Sequence, residues 1–132
     1  MKTKQIWANL PVSNLERTTK FYKQLGFTSN GSVKSDELIS FSFGENSFII
    51  NFFLKDILEN NTKMKFSDVK SGNEIIFSLF AASKEEVDEW VKMVEKAGGT
   101  ISTEPYTIEE GYTFGFSDPD GHAFNVLYWP GM

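Results

Sequence analysis

Apolar and polar side chains alternate along short stretches of this chain, and the same order of patterns occurs twice. Residues 6–25 read as a half-buried strand followed by apolar side chains at helical spacing, and residues 75–97 read the same way. Each helical stretch ends at a glycine, Gly26 or Gly98, which readily adopts the left-handed conformation that follows many helices. The pattern therefore predicts an internal duplication.

The remainder of each half also follows one plan. After the glycine come a short extended piece, an alternating strand, and a turn that leads into a last apolar strand. These stretches are residues 27–29, 39–43 and 48–54 in the first half, and 100–102, 112–116 and 123–129 in the second. Each half thus reads strand, helix and three strands. The predicted fold class is α+β, with two tandem βαβββ modules.

Both helices are predicted to begin at a capping box of the form S-x-x-E. The pairs are Ser13 with Glu16 and Ser83 with Glu86. In this motif the serine side chain accepts a backbone N–H of the first turn, and the glutamate reaches back toward the cap residue. We therefore expect the two helices to start at Ser13 and Ser83.

Composition is consistent with one globular domain. A chain of 132 residues with 40% hydrophobic residues and 13 phenylalanines can bury a substantial core. We expect a single domain, residues 1–132, with module one at about 1–54, a polar linker at 55–73 and module two at 74–132. The absence of cysteine excludes disulfides and thiolate chemistry. No apolar run approaches the ~18 residues of a membrane span, so a cytoplasmic protein without membrane contact is expected.

Charge is distributed unevenly between the two halves. The net charge is −5, with nine basic and six acidic residues in 1–66 but four basic and twelve acidic residues in 67–132. Nucleic-acid binding needs a cationic surface, so it is not predicted. An acidic half that lined a site would favour a neutral or cationic ligand. The alternative interpretation is a solvated surface, because charge runs such as residues 85–89 normally cover an exposed helix face.

Two segments carry a resemblance to a known family. The run N-L-P-V-S-N-L-E-R at residues 9–17, with F-Y-K-Q-L-G-F at 21–27, resembles the first module of the vicinal oxygen chelate superfamily, and F-S-D-P-D-G-H at 116–122 resembles the entry to its last strand. The family includes lactoylglutathione lyase, extradiol dioxygenases, fosfomycin-resistance transferases and bleomycin-resistance proteins. The resemblance implies βαβββ modules whose mixed sheets curl into a cup around a ligand or metal, often in a homodimer.

The same resemblance locates the positions at which metal-dependent relatives carry their ligands. These positions are Trp7, Asn51, Ile76 and Asn125. None is an imidazole or a carboxylate, the groups that a divalent ion of this type prefers. Only a shift of two residues brings in donors, Gln5 and Glu74. We therefore predict no metal and no cofactor.

Other chemical candidates in the second half are explained by a turn. His122 is the only histidine, and strand alternation places it on the face opposite Asn125, so a structural role beside the turn is predicted. Asp118 and Asp120 lack the further ligands of a calcium loop, and the D-P-D-G turn explains both.

A small-molecule pocket is the remaining candidate site. Its predicted lining mixes aromatic and aliphatic side chains with a few amides, as ligand pockets commonly do. The predicted ligand-binding residues are Trp7, Asn9, Asn51, Phe53, Ile76, Ser78, Asn125 and Trp129. The alternative is that these side chains fill the cup as core. The polar segment Lys55 to Asn73 is either a lid or only a linker.

Two functional classes follow from these observations. The first is a metal-free member of the superfamily that binds a small organic molecule in a hydrophobic cup, as bleomycin-resistance proteins do. The second is an enzyme with a divergent metal site, either a lactoylglutathione-lyase-like lyase or an oxidoreductase of the dioxygenase type. A homodimer is expected in both cases, because exposed sheet edges are better covered by a second copy than left in water.

Overall fold

The computed structural model describes residues 1–31 and 35–132, and the chain divides into an N-terminal unit, residues 1–67, and a C-terminal unit, residues 68–132. The N-terminal unit contains β1 (Ala8–Val12), α1 (Leu15–Gln24), β2 (Thr28–Ser29), β3 (Leu38–Phe43), β4 (Phe48–Leu54) and α2 (Lys55–Thr62). The C-terminal unit contains β5 (Ile76–Phe80), α3 (Lys84–Ala97), β6 (Thr100–Ile108), β7 (Gly111–Ser117) and β8 (Ala123–Tyr128).

Each unit forms a four-stranded mixed sheet with the same strand order. The orders are β1-β4-β3-β2 and β5-β8-β7-β6. In both sheets the first strand runs parallel to the last strand, and the other neighbouring strands pair antiparallel. The predicted α+β class with two tandem βαβββ modules is confirmed. The first strand of each unit, β1 or β5, is an edge strand of its sheet.

The core of the N-terminal unit lies between α1 and one face of its sheet. Phe21 and Tyr22 of α1 are fully buried, and the Tyr22 ring stacks on Phe52 of β4 with centroids 4.6 Å apart. Phe41 of β3 contacts the same ring at 5.7 Å. These separations lie in the range that favours aromatic pairs. Side chains alternate along a strand, and Asn51 lies between the buried residues Ile50 and Phe52. The Asn51 side chain therefore points to the opposite face of the sheet.

The C-terminal unit buries an equivalent cluster beneath α3. Phe116 of β7 and Phe124 of β8 are adjacent in register and stack with their centroids 5.1 Å apart. Val87 and Val94 of α3 are buried as well. Asn125 follows Phe124 in β8, so its side chain points to the opposite face of the sheet, away from α3.

The helix starts only partly match the predicted capping boxes. Ser83 caps α3 as expected, because its side chain accepts the Glu86 N–H at 3.1 Å. The predicted start of α1 at Ser13 is wrong, because Asn14 is the cap and its Oδ1 accepts the Arg17 N–H at 2.9 Å. Ser13 instead accepts a hydrogen bond from the Arg17 guanidinium at 2.8 Å. Asparagine caps as well as serine does, so the two adjacent candidates could not be separated by type.

Glycine ends both helices as predicted. Gly26 and Gly98 have φ values of 93° and 96°, in the region that side chains disfavour. Each donates its N–H to a carbonyl of the last helical turn. No helix in the part of the chain that the structure describes is long and apolar enough to cross a membrane.

The predicted linker contains a helix that the sequence analysis missed. Residues 55–62 form α2, which follows β4 directly, lacks a side-chain cap, and buries Leu58 alone. Glu59 of α2 accepts the Phe66 N–H at 2.9 Å, and this bond holds the pKa of the Glu59 carboxyl below its usual value. A helix without a cap and with two asparagines near its end gives little local signal. The unit boundary lies between Ser67 and Asp68.

Candidate functional site

The candidate residues lie mainly on the two sheet faces that are turned away from the helices. We call the first the Asn51 face, which contains Asn9, Ser40, Ile49, Asn51 and Phe53 of the N-terminal unit. We call the second the Asn125 face, which contains Ile76, Ser78, Phe80, Asn125 and Leu127 of the C-terminal unit. Strand register places the central residues side by side within each face: Asn51 lies between Asn9 and Ser40, and Asn125 lies between Ser78 and Gly115.

On the Asn51 face, polar side chains of neighbouring strands lie in a row and form two separate hydrogen-bonded pairs. Asn51 Nδ2 donates to Asn9 Oδ1 at 3.2 Å, which links β4 to the edge strand β1. Asn30, just after β2, donates through its Nδ2 to Ser40 Oγ of β3 at 3.1 Å. The polar groups of this row are therefore paired with one another across neighbouring strands.

On the Asn125 face the equivalent asparagine is in a different state. Asn125 Oδ1 is buried, and it is the one buried side-chain nitrogen or oxygen among the described residues that has no hydrogen-bond partner. The residues beside it in register are Ser78 and Gly115. Buried polar atoms in proteins are nearly always hydrogen-bonded, and leaving one unpaired costs about 1–3 kcal/mol. Asn125 as a whole is half-buried, so part of its side chain remains open to solvent.

Apolar side chains flank this asparagine along the edge strand. Ile76 and Phe80 of β5 are each 54% exposed, although both are large and hydrophobic. Ser78 lies between them on the same strand and is also exposed. Leu127 is in register with Phe80 and is half-buried. The face therefore combines an unpaired hydrogen-bond acceptor with exposed apolar surface, as ligand-binding sites do.

Trp129 extends this face beyond the end of β8. A Cβ atom at Gly111 would lie 2.4 Å from Cε3 of the Trp129 indole and 2.8 Å from the Tyr128 carbonyl oxygen. Only a glycine at this point allows the indole to lie against β7. Gly115 similarly permits the close approach of Ser102 Oγ, which would be 2.9 Å from a Cβ there. Neither glycine was predicted from the sequence, where the available signal was a glycine inside a strand pattern.

The eight predicted ligand-binding residues fall into separate groups. Asn9, Asn51 and Phe53 lie on the Asn51 face. Ile76, Ser78 and Asn125 lie on the Asn125 face, and Trp129 adjoins them. The strand predicted from residue 6 begins two residues later, at Ala8, so Trp7 precedes β1. Trp7 is 51% exposed. That these side chains contact a ligand remains a prediction.

The metal-ligand positions do not offer suitable donors. Trp7 and Ile76 carry no ligating atom for a divalent ion, and Asn51 uses its amide in the bond to Asn9. Throughout residues 1–31 and 35–132, no group of three His, Cys, Asp or Glu side chains is placed to hold a metal ion. The residues present therefore do not fit the His and carboxylate site that the resemblance implied.

The turn before β8 has the structural role that was predicted. Asp118 Oδ1 accepts three backbone N–H groups, from Asp120 at 3.0 Å, Gly121 at 2.9 Å and His122 at 2.8 Å. His122 is 4% exposed and returns a backbone bond by accepting the Asp118 N–H through its carbonyl at 3.0 Å. These hydrogen bonds hold the conformation of the turn that precedes β8.

Comparison with known proteins places these features in a family. The family profile described as Glyoxalase/Bleomycin resistance protein/Dioxygenase superfamily matches residues 4–126. The chain belongs to this superfamily. No curated protein matches the chain significantly.

Solved structures of similar fold cover nearly the whole chain. The hypothetical protein SA1046 from S. aureus is 31% identical, with a TM-score of 0.86 over 98% of this chain and 96% of that one. A glyoxalase-related enzyme from Fulvimarina pelagi is 18% identical, with a TM-score of 0.83 over 97% and 90%. A lactoylglutathione lyase from Agrobacterium tumefaciens is 20% identical, with a TM-score of 0.70 over the full length of both chains. At 18% and 20% identity, the last two structures show a similarity of fold and nothing more.

Proposed function

We propose that this superfamily member is a metal-free binding protein for a small organic molecule, and that the ligand lies on the Asn125 face. The observation that carries the proposal is the buried Asn125 Oδ1, for which the described residues provide no hydrogen-bond donor. A ligand N–H or O–H group would supply that donor, while the exposed side chains of Ile76 and Phe80 would gain apolar contact.

Donor chemistry supports binding over superfamily catalysis. Isomerisation of the hemithioacetal of methylglyoxal and glutathione requires polarised substrate oxygens and a base that moves a proton. An asparagine amide does not act as a base, and the four metal-ligand positions contain two asparagines, a tryptophan and an isoleucine. The enzyme alternative thus lacks both groups at the positions where the family carries them.

Tryptophan fluorescence provides the test, because Trp129 adjoins the Asn125 face. Titration with bleomycin, a cationic glycopeptide with planar aromatic rings, and with simple planar aromatic compounds should change the emission and saturate. Asn125→Ala should weaken the binding of any compound that saturates the wild type, and Asn30→Ala, on the other unit, is the control variant. Absence of saturable binding by every compound would refute the proposal.

Two further measurements separate binding from catalysis. Elemental analysis of protein prepared without a chelator or affinity tag should find no stoichiometric zinc, nickel, manganese or iron. Lactoylglutathione lyase activity should be absent in metal-supplemented protein. A metal bound at one equivalent per chain, with lyase activity that Asn125→Ala abolishes, would establish the enzyme alternative instead.

We also propose that the protein is a homodimer. The support is exposed apolar side chains beside one edge strand of each sheet: Ile6 and Trp7 before β1, and Ile75 before β5. Large apolar groups on an unpaired strand edge favour association with another copy. Light scattering at micromolar concentration should give twice the 15.0 kDa mass of one chain. A mass of 15.0 kDa would contradict the dimer and leave the binding proposal unaffected.

A further inference from the structure

We infer that the two equivalent asparagines have different roles: Asn125 selects a neutral or cationic ligand through a ligand N–H or O–H donor, whereas Asn51 is a structural link between strands. This inference rests on the proposed function and adds the chemical class of the ligand. It also removes Asn51 from the set of residues that determine affinity.

Strand register establishes that the two residues are equivalent. Asn51 lies in the middle of β4 and pairs with Asn9 of the parallel strand β1. Asn125 lies in the middle of β8 and pairs with Ser78 of the parallel strand β5. Both side chains therefore occupy the same place in the same four-stranded topology, on the face turned away from the helix.

Their hydrogen-bond partners make them different. Asn9 provides an amide oxygen 3.2 Å from Asn51 Nδ2. The position equivalent to Asn9 in the C-terminal unit is Ser78, and it makes no bond to Asn125 Oδ1 in the described structure. On the other side, the N-terminal unit has Ser40 where the C-terminal unit has Gly115, which has no side chain.

The charge around Asn125 restricts the ligand further. None of the described strands β5 to β8 carries a Lys, Arg or His residue. Three of the four lysines of this unit, Lys84, Lys92 and Lys96, lie on α3, which packs on the opposite face of the sheet, and Lys70 lies in the segment before β5. A carboxylate or phosphonate on the Asn125 face would meet no cationic side chain from strands β5 to β8, which disfavours its desolvation.

The geometry of the side chain allows a ligand to reach the acceptor. The Asn125 residue is half-buried although its Oδ1 atom is buried. Rotation about the terminal Cβ–Cγ bond of an asparagine is soft, so a modest turn brings the oxygen toward the open face. The ligand donor then pairs an oxygen that has no hydrogen-bond partner among the described residues.

An isosteric series of aromatic probes tests the ligand class. Benzamidine is a cation with N–H donors, benzamide is neutral with N–H donors, and benzoate is an anion with acceptors only. Titrations monitored by ligand-detected NMR should show benzamidine and benzamide binding at least about tenfold more tightly than benzoate, as loss of one hydrogen bond predicts. Equal or tighter binding of benzoate would overturn the inferred ligand class.

Matched leucine variants test the difference between the two asparagines. Asn125→Leu should weaken benzamidine binding at least about tenfold and raise Tm by about 2–4 °C, because it removes the unpaired acceptor. Asn51→Leu should change the dissociation constant less than about twofold and lower Tm, because it removes the bond to Asn9. Circular dichroism establishes folding of both variants, and Asn125→Ala provides a second truncation if leucine disturbs packing.

The outcomes distinguish this inference from the proposed function. If Asn51→Leu weakens binding as much as Asn125→Leu, the two asparagines act together and the inference is wrong, while the binding function stands. If benzoate is preferred but Asn125→Leu still reduces its affinity, the inferred class is wrong and the site stands. If no probe and no bleomycin binds, both proposals fail.

Discussion

The two units share one topology but treat the same central asparagine in opposite ways. In the N-terminal unit the amide is bonded to Asn9 across the sheet, whereas in the C-terminal unit Asn125 Oδ1 is buried without a donor among the described residues. In one copy of the module the central polar side chain thus links two strands. In the other copy the buried amide oxygen has no partner among the described residues, which costs stability.

Charge and close contacts separate the units as well. Residues 1–67 carry nine basic and six acidic side chains, a balance of +3, and residues 68–132 carry four and twelve, a balance of −8. The C-terminal unit also contains Gly111, which accommodates the Trp129 indole. The two units therefore share one strand order and differ in individual side chains of the exposed faces.

The largest expected effect concerns Gly111, the glycine against which the Trp129 indole packs. Gly111→Ala places a Cβ 2.4 Å from the indole and 2.8 Å from the backbone oxygen of Tyr128, so the indole and the end of β8 must move. We expect a loss of about 2–3 kcal/mol in the free energy of unfolding and a shift in tryptophan emission. Urea denaturation measures the first quantity.

Gly115→Ala is the matched control for that variant. Its Cβ would approach the flexible Ser102 hydroxyl at 2.9 Å, so the side chain can rotate away and the cost should be much smaller. Equal destabilisation by the two alanines would show that Trp129 does not depend on Gly111, and would remove this difference between the units.

A second prediction concerns the turn before β8, the last strand of the C-terminal unit. Asp118→Ala removes an acceptor of three backbone N–H groups and should destabilise the protein by about 2 kcal/mol. Asp118→Asn keeps an acceptor oxygen and should lose less. Thermal unfolding of both variants decides the point, and an alanine variant as stable as wild type would contradict the role assigned to this turn.

A third prediction transfers the N-terminal arrangement into the C-terminal unit. Ser78→Asn places an asparagine at the position that corresponds to Asn9. Asn9 accepts a hydrogen bond from Asn51 Nδ2, whereas the new amide can donate its N–H to Asn125 Oδ1. We expect a gain of about 1 kcal/mol in the free energy of unfolding together with weaker benzamidine binding. The reciprocal Asn9→Ser should cost a fraction of that amount, because Asn9 is exposed to water. A Ser78→Asn protein with unchanged stability and affinity would break the proposed contrast.

The smallest expected effect concerns α2, which occurs after the fourth strand of the N-terminal unit alone among the described residues. The Phe66 N–H lowers the pKa of Glu59, with Lys65 at 3.7 Å adding to the effect. A carboxyl whose folded pKa lies below its unfolded value contributes stability above the unfolded value of 4.5, and that contribution is lost as pH falls through the folded pKa. Thermal unfolding between about pH 3 and 6 should show a slightly steeper acid loss in wild type than in Glu59→Gln. Identical pH profiles would show that this bond contributes nothing measurable.

Local patterns were sufficient for most of the architecture. Alternation along residues 39–43 and 112–116, and the apolar run at 48–54, predicted strands that the structure contains, and Gly26 and Gly98 end the helices where the sequence indicated. These features depend on side-chain periodicity and on the conformational freedom of glycine, both of which are properties of neighbouring residues. The adjacent Ser13 and Asn14 show the limit, because both residue types cap helices well and only the structure identifies Asn14 as the cap.

The chemistry of the site depended on contacts between residues that are distant in sequence. Two asparagines at equivalent repeat positions are indistinguishable as letters, yet Asn51 has its partner 42 residues away and Asn125 Oδ1 has none among the described residues. The packing of Trp129 against Gly111 likewise depends on the pairing of β7 with β8. Periodicity specifies which face a side chain occupies, but cross-strand register and the identity of the facing residue decide whether its polar atoms are satisfied, and those are set only when the sheet assembles.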